Sequence, residues 1–295
     1  MVPVTLEDEI DDEMSEDIDE EIDVRGMHGE GGTSTEWMEQ PKMKKMFREI
    51  EHRLQGVLGT GRYDWVDRRV FDQVFDQSTL LSIYKLMRKG VIDTVEFPIA
   101  RGKEAHVFYA TSIDGPRAVK IFHTSNAVFK GLTKYIEGDP RFGGLKRRHR
   151  ELVTIWVRKE YRNLKRLESS GLRVPSAFEV NRNVLVMEYL GTDEAPSPRI
   201  RDIALENPEA VFDELLKFIQ IAWNDADLVH ADLSEYNVLW HNDEPWIIDV
   251  GQAVKSAHPN AQEFLVRDVK NICNWASKKG VDAPFEETLL RVLEG

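Results

Sequence analysis

Asp232 and Asn237 stand five residues apart in Val229-His230-Ala231-Asp232-Leu233-Ser234-Glu235-Tyr236-Asn237, and Asp249-Val250-Gly251 begins twelve residues further on. Apolar Leu228 and Val229 lead into the first segment. Two short β-like runs, Val238 to Trp240 and Trp246 to Val250, frame the interval. A fold that satisfies this pattern has to carry an oxygen-rich loop and the end of an apolar strand to one place. Asp and Asn are common turn residues, and an isolated His-x-Asp would signify no more than that. Here the offset, the flanking strands and the following Asp-x-Gly agree, and together they point to chemistry.

The reaction these residue types suit is phosphoryl transfer. It needs a carboxylate beside the incoming nucleophile and oxygen ligands for magnesium on the phosphates. Asp232 is the candidate base. Asn237 and Asp249 are the candidate metal ligands, because magnesium takes hard oxygen donors and keeps several waters. Upstream, Lys120 interrupts the apolar strand Ala118-Val119-Lys120-Ile121. A charge facing a core is costly unless paired, and ATP phosphates and a helical glutamate are the expected partners. Glu160 suits that place; its rival Glu151 sits at the junction of loop and helix. Ala100-Arg101-Gly102-Lys103-Glu104-Ala105 has a single glycine and matches neither G-x-G-x-x-G nor the Walker A pattern. It is expected as a strand turn presenting backbone N–H groups and Lys103 to phosphates. Gly102, Lys103 and Glu104 thereby join Lys120 and Glu160 as candidate nucleotide-binding residues. Val186 to Gly191 reads as an interlobe hinge, with the backbone of Glu188 and Leu190 placed to hydrogen-bond adenine.

Around this centre the hydrophobic period changes along the chain. Glu36 to Leu58 carries Trp37, Met43, Met46, Phe47, Ile50 and Leu54 at helical spacing. A second helix follows Ser78 as N-cap and closes at Gly90. Val95 to Pro98, His106 to Thr111 and Ala118 to Phe122 then read as strands. His123 to Arg150 is polar, basic and glycine-bearing, and is expected mainly as a long flexible loop. Its Lys146, Arg147, Arg148 and Arg150 are either contacts for RNA phosphates or a solvated face. A helix from Glu151 to about Ser169, a hairpin of Phe178 to Val180 with Val184 to Tyr189, and a helix from Pro208 to about Ala226 follow. The last of these has Asn207 as its cap. Gln262 to Leu293 is helical. The order predicts an α+β fold of two lobes with a cleft between them. The boundaries are an acidic tail and linker at 1–34, a helical extension at 35–90, a β-rich lobe at 91–190 and an α-rich lobe at 191–295.

The net charge of −13 is concentrated at one end. Thirteen acidic residues against the single base Arg25 lie between Met1 and Glu30, which leaves the remainder close to neutral. Such a self-repelling tail is expected to be disordered; a nucleic-acid mimic folding over a basic surface is the sharper alternative. The one cysteine, Cys273, cannot form an intramolecular disulfide and is expected as a small buried residue on a helix, in a reducing cytoplasm. No run approaches the roughly 18–20 apolar residues of a membrane span. The acidic N-terminus is unlike a secretory signal, so no membrane partner is expected.

These residues resemble the RIO family of atypical protein kinases, in its type-one branch. The resemblance runs from about Ser78 to the C-terminus. Its most specific pieces are Gly-Lys-Glu-Ala at 102–105, His-Ala-Asp-Leu-Ser-Glu-Tyr-Asn at 230–237 and Ile-Asp-Val-Gly-Gln at 248–252. It implies a bilobal protein-kinase-like fold with a reduced C-lobe, and an ATP- and Mg2+-dependent serine kinase with ATPase activity. It also implies a role in small ribosomal subunit maturation, close to pre-ribosomal RNA. The implied roles are Asp232 as base, Lys120 on the phosphates, and Asn237 with Asp249 on magnesium, Asp249 being able to accept phosphate itself. Only 46 residues follow Asp249 and no Ala-Pro-Glu segment is present, which leaves no room for an activation loop with a peptide platform. Hydrolysis or self-phosphorylation that switches binding to a ribosomal particle is therefore expected over phosphorylation of free peptides, with Ser125 and Thr133 as candidate acceptors. Two rivals stay open. One is a small-molecule kinase of the aminoglycoside or choline type; the other is a non-enzymatic assembly factor that binds ATP as a structural ligand.

Overall fold

The computed structural model describes residues 41–54, 74–124, 133–136, 149–192 and 195–294. The acidic tail, Trp37, Ser125, Lys146, Arg147 and Arg148 lie outside them. The first described helix, α1, is Pro41–Ile50, continued by a 3-10 turn at Glu51–Leu54. Helix α2 is Gln77–Arg88. Asp76 caps it, rather than Ser78, because its carboxylate reaches the Thr79 N–H at 2.8 Å, three residues on, where an N-cap side chain bonds. Gly90 (φ 74°) ends the helix. Its N–H donates to Met87 O and that of Val91 to Leu86 O, the paired bonds of a Schellman closure.

Five antiparallel strands form the main sheet: β1 (Thr94–Arg101), β2 (Ala105–Ser112), β3 (Gly115–Phe122), β4 (Ala177–Asn181) and β5 (Val184–Glu188). Their spatial order is β1-β2-β3-β5-β4. Helix α3, His149–Ser169, enters between β3 and β4 in sequence. Strand alternation divides the hydrophobic residues into two cores. On one face Phe108, Ala110, Val119, Ile121, Val184 and Val186 pack with Ile50, Leu54, Leu80, Ile83 and Leu86, so the N-terminal helices cover the sheet's outer side. On the other, Ala105, Phe122 and Leu185 join Trp156, Val157 and Leu164 of α3 and the apolar residues of the helical lobe.

That lobe contains α4 (Pro208–Asn224), α5 (Ala261–Lys278) and α6 (Phe285–Glu294). Asn207 caps α4 by accepting the Ala210 N–H at 3.1 Å, with Pro208 opening the helix. Cys273 is buried on α5. Between α4 and α5 run β6 (Leu228–Val229), β7 (Val238–His241), β8 (Glu244–Ile247) and β9 (Val254–Lys255), with β6 pairing β9 and β7 pairing β8. Asn242 and Asp243 turn β7 into β8 with positive φ at both positions, as a two-residue hairpin of the I′ type requires. The strand expected to reach Val250 ends at Ile247, because Asp249 adopts a left-handed conformation (φ 61°, ψ 57°) and Val250–Gln252 follow as a 3-10 turn. Within the stretch expected as a basic loop, part is described. Thr133–Tyr135 form a 3-10 turn, and Tyr135 is buried with its ring 5.4 Å from that of Phe264 on α5. Among the described residues no helix is long and apolar enough to cross a membrane.

Candidate active site

Strand β3 pairs Lys120 with Val107 of β2 and Leu185 of β5, while its neighbours Val119 and Ile121 face the outer core. Alternation therefore turns the lysine inward, toward α3. Its Nζ donates to Glu160 Oε1 at 2.6 Å and to Asp249 Oδ1 at 2.9 Å. Burial would push the ammonium down, but the carboxylates of Asp249 and Glu160 outweigh it and hold Lys120 above the usual lysine value. Burial in turn raises Glu160 despite the opposing pull of Lys120, whereas the Lys120 ammonium holds Asp249 below the ordinary carboxylate range. Glu160 lies midway along α3; Glu151 is about 13 Å of helix away from it.

The loop after β6 supplies Asp232. Ala231 takes positive φ (65°), and Asp268 of α5 secures the turn by accepting the N–H groups of Ala231 and Leu233 at 2.7 and 2.9 Å. Arg267 and Asn271 from the same helix donate to the carbonyls of Ala231 and Leu233. His230, buried and held neutral by that burial at a pKa of about 4, contacts the Ile248 carbonyl through Nε2 at 3.2 Å. Asn237 Nδ2 donates to the Asp232 carbonyl at 2.9 Å and to its Oδ2 at 3.4 Å, and Gln252 Nε2 donates to the same Oδ2 at 3.2 Å. The Asn237 carbonyl receives the Ile248 N–H at 3.0 Å, which ties the loop to the residue before Asp249. Burial, then the Asp249 charge, raise Asp232 above its usual value.

The turn between β1 and β2 closes with Gly102 N–H donating to Ala105 O at 2.9 Å. A Cβ at 102 would approach that oxygen to 3.1 Å, so the tight turn favours glycine. Lys103 is exposed at its tip, and Glu104 is half-buried beneath it. Burial and then Asp249 push Glu104 up to about 7, with Glu160 and Asp232 adding to the effect and Lys120 opposing it. Glu104, Glu160 and Asp249 thus share the field of one ammonium, whereas Arg267 and Lys134 are the cations that act on Asp232. Glu188 and Leu190 lie where β5 leaves the sheet for the helical lobe. Glu188 exchanges bonds with Ser176, its N–H donating to the Ser176 carbonyl at 2.8 Å and its carboxylate accepting the Ser176 N–H at 3.1 Å. The Leu190 carbonyl accepts from Ser197 N–H at 3.0 Å.

The donor set suits a metal that arrives with phosphates. The Asp249 side chain is 44% exposed and its pKa is held below the usual carboxylate value, and the Asn237 amide spends its nitrogen on Asp232, which leaves its oxygen available to a metal. Among the described residues no three His, Cys, Asp or Glu side chains form a self-sufficient metal centre. Magnesium asks for less, one or two protein oxygens with phosphate oxygens and water completing its shell. Sequence reasoning does not single out Asp268, Lys159 or Asn163, although all three hold the backbone of this site. The only signal for the last two is their spacing on the α3 face that carries Trp156 and Glu160.

The chain matches the RIO domain family over residues 106–289, more than half its length. It is 43% identical over 216 residues to the RIO-type serine/threonine-protein kinase Rio1 of Haloferax volcanii, covering 73% of this chain and 74% of that one. It is 37% identical over 223 residues to the serine/threonine-protein kinase RIO1 of Homo sapiens, covering 74% of this chain but 39% of the human one. The matched part is thus under half of the human relative. Among solved structures, a Rio2 kinase–ADP/Mg2+–phosphoaspartate complex from Chaetomium thermophilum superposes with a TM-score of 0.55 at 20% identity, over 72% of this chain and 66% of that one. That likeness is one of fold.

Proposed function

The chain belongs to the RIO family of atypical serine/threonine kinases, in its Rio1 branch, and from that premise we propose that it is an ATP- and Mg2+-dependent serine kinase and ATPase. The observation that carries this reading is the double contact of Lys120 with Glu160 and Asp249. One ammonium joins the strand, the helix and the metal-holding turn, which is what phosphoryl transfer needs in place before the phosphates arrive.

In this reading Lys120 binds the phosphates, and the turn at Gly102, Lys103 and Glu104 lies over them. The backbone of Glu188 and Leu190 receives adenine. Asn237 and Asp249 hold Mg2+, which supplies charge compensation on the phosphates. Asp232, raised by burial and oriented by Asn237 and Gln252, takes the proton of the incoming hydroxyl. The acceptor oxygen bonds to the γ-phosphorus as the bond to the ADP oxygen breaks. In self-phosphorylation without a hydroxyl acceptor, Asp249 accepts the phosphoryl group as an acyl phosphate, and water later restores the carboxylate. The solved Rio2 complex that contains phosphoaspartate lends support to that route.

The proposal extends to a cytoplasmic role in small ribosomal subunit maturation, with the pre-ribosomal particle and its RNA as partners. Support for a particle over a free peptide is the brevity of the chain between Asp249 and α5. It holds a 3-10 turn and a two-residue strand, with no long segment to dock a peptide. The test is ATP turnover by the purified protein. It should require Mg2+, and Asp232→Ala should slow it by about 10²-fold or more; equal rates end the catalytic reading. Protein-bound label from radioactive ATP should be released by hydroxylamine and be absent from Asp249→Asn.

A further inference from the structure

Helix α3 does more than deliver Glu160. Lys159, wholly buried, donates from Nζ to the carbonyls of Gly251 at 2.7 Å and Ala253 at 2.6 Å. Asn163, one turn further along and equally buried, donates from Nδ2 to the carbonyls of Val250 at 2.8 Å and Ala253 at 3.0 Å. The 3-10 turn that follows Asp249 is therefore held by these two side chains of the helix that carries Glu160. We infer that Lys159 and Asn163 are positioning residues for Asp249, locking the metal-holding turn and the Lys120–Glu160 pair into one rigid unit. The inference rests on the nucleotide and metal reading above.

Three observations favour positioning over plain packing. A buried ammonium costs several kcal/mol of desolvation, which an apolar side chain of similar length would avoid. Its bonds go to backbone within four residues of Asp249, a non-glycine residue held in the left-handed region. Gly251 also lies so close to α3 that a Cβ there would come within 3.0 Å of both Glu160 Oε2 and Trp156 Nε1. In kinases with long activation loops, placement of the helix glutamate and of the metal aspartate is the regulated step. Here α3 cannot retreat from Asp249 without breaking the four bonds to Val250, Gly251 and Ala253.

The test compares ADP affinity, by titration calorimetry, in EDTA and in saturating Mg2+ for the parent, Lys159→Met and Asn163→Leu. The variants should keep the Mg2+-free affinity within about twofold while the gain due to Mg2+ shrinks about tenfold, the scale of losing a partner that orients a metal ligand. A purely structural role predicts equal losses in both buffers, or none, and either result overturns the inference. Should Lys159→Met fail to fold, Asn163→Leu decides, because it leaves both Lys159 bonds in place. A parent whose ADP affinity is indifferent to Mg2+ overturns the nucleotide and metal reading and the inference with it. A Mg2+-dependent parent with unaltered variants overturns the inference alone.

Discussion

Lys120 Nζ lies 2.6 Å from Glu160 Oε1 across forty residues of chain, and the glutamate side chain is only 1% exposed. Removing the lysine leaves a carboxylate buried without its ammonium. Lys120→Met should therefore cost about 3–5 kcal/mol in urea unfolding. Adding Glu160→Leu should return most of that stability, because apolar replacement of a buried pair is often neutral. ATP turnover should stay abolished in both proteins. Recovery of turnover in the double variant would show that the pair serves stability alone.

Asp268 satisfies two buried N–H groups beside Asp232. Asp268→Ala should lose about 1–3 kcal/mol for each donor left unpaired. Asp268→Asn keeps one acceptor oxygen and should lose less. Both should slow ATP turnover, since Ala231 needs outside support for its positive φ. Chemical denaturation beside steady-state rates checks the ordering Ala worse than Asn.

Gly251 is the glycine of the Asp-x-Gly motif, and the space above it belongs to Glu160 and Trp156. Gly251→Ala should displace Glu160 from Lys120 at a cost of about 1–3 kcal/mol for overpacking. ATP affinity should fall while the fold persists. Circular dichroism and nucleotide titration on one sample read the two effects separately.

His106 Nδ1 and His123 Nε2 lie 3.0 Å apart at the base of the Gly102 turn. Burial, then His123 and Arg101, pull His106 down from 6.5 to about 4. Between those values the unfolded chain takes up a proton that the folded protein refuses, so stability rises with pH across the window. The contribution is complete above pH 6.5 and is lost as pH falls toward 4. His106→Gln should flatten that acid limb in melting temperature against pH. An unchanged limb rejects the assignment.

Several features were legible because their causes are local. The run Ala118 to Ile121 had to be a strand, and alternation alone turned its lysine away from Val119 and Ile121. Other features were misread where a local cue competed with another a few residues away. Ser78 is a good cap type, but Asp76 stands at the correct offset from Thr79. Apolar Ile248 and Val250 prolong a strand pattern that the left-handed Asp249 ends.

By itself the sequence determined where most of the helices and longer strands lie and which residue types crowd the loop at Asp232, because helix caps, turns and strand alternation act over a handful of neighbours. Gly90 closing α2 and Asn207 opening α4 are of that kind. Tertiary structure alone decided that Asp268 steadies the Asp232 loop and that Lys159 and Asn163 grip the turn after Asp249. Those contacts join residues from 35 to 94 positions apart. Which partners meet over such separations depends on how the two cores pack around α3, and spacing along the chain carries no record of that.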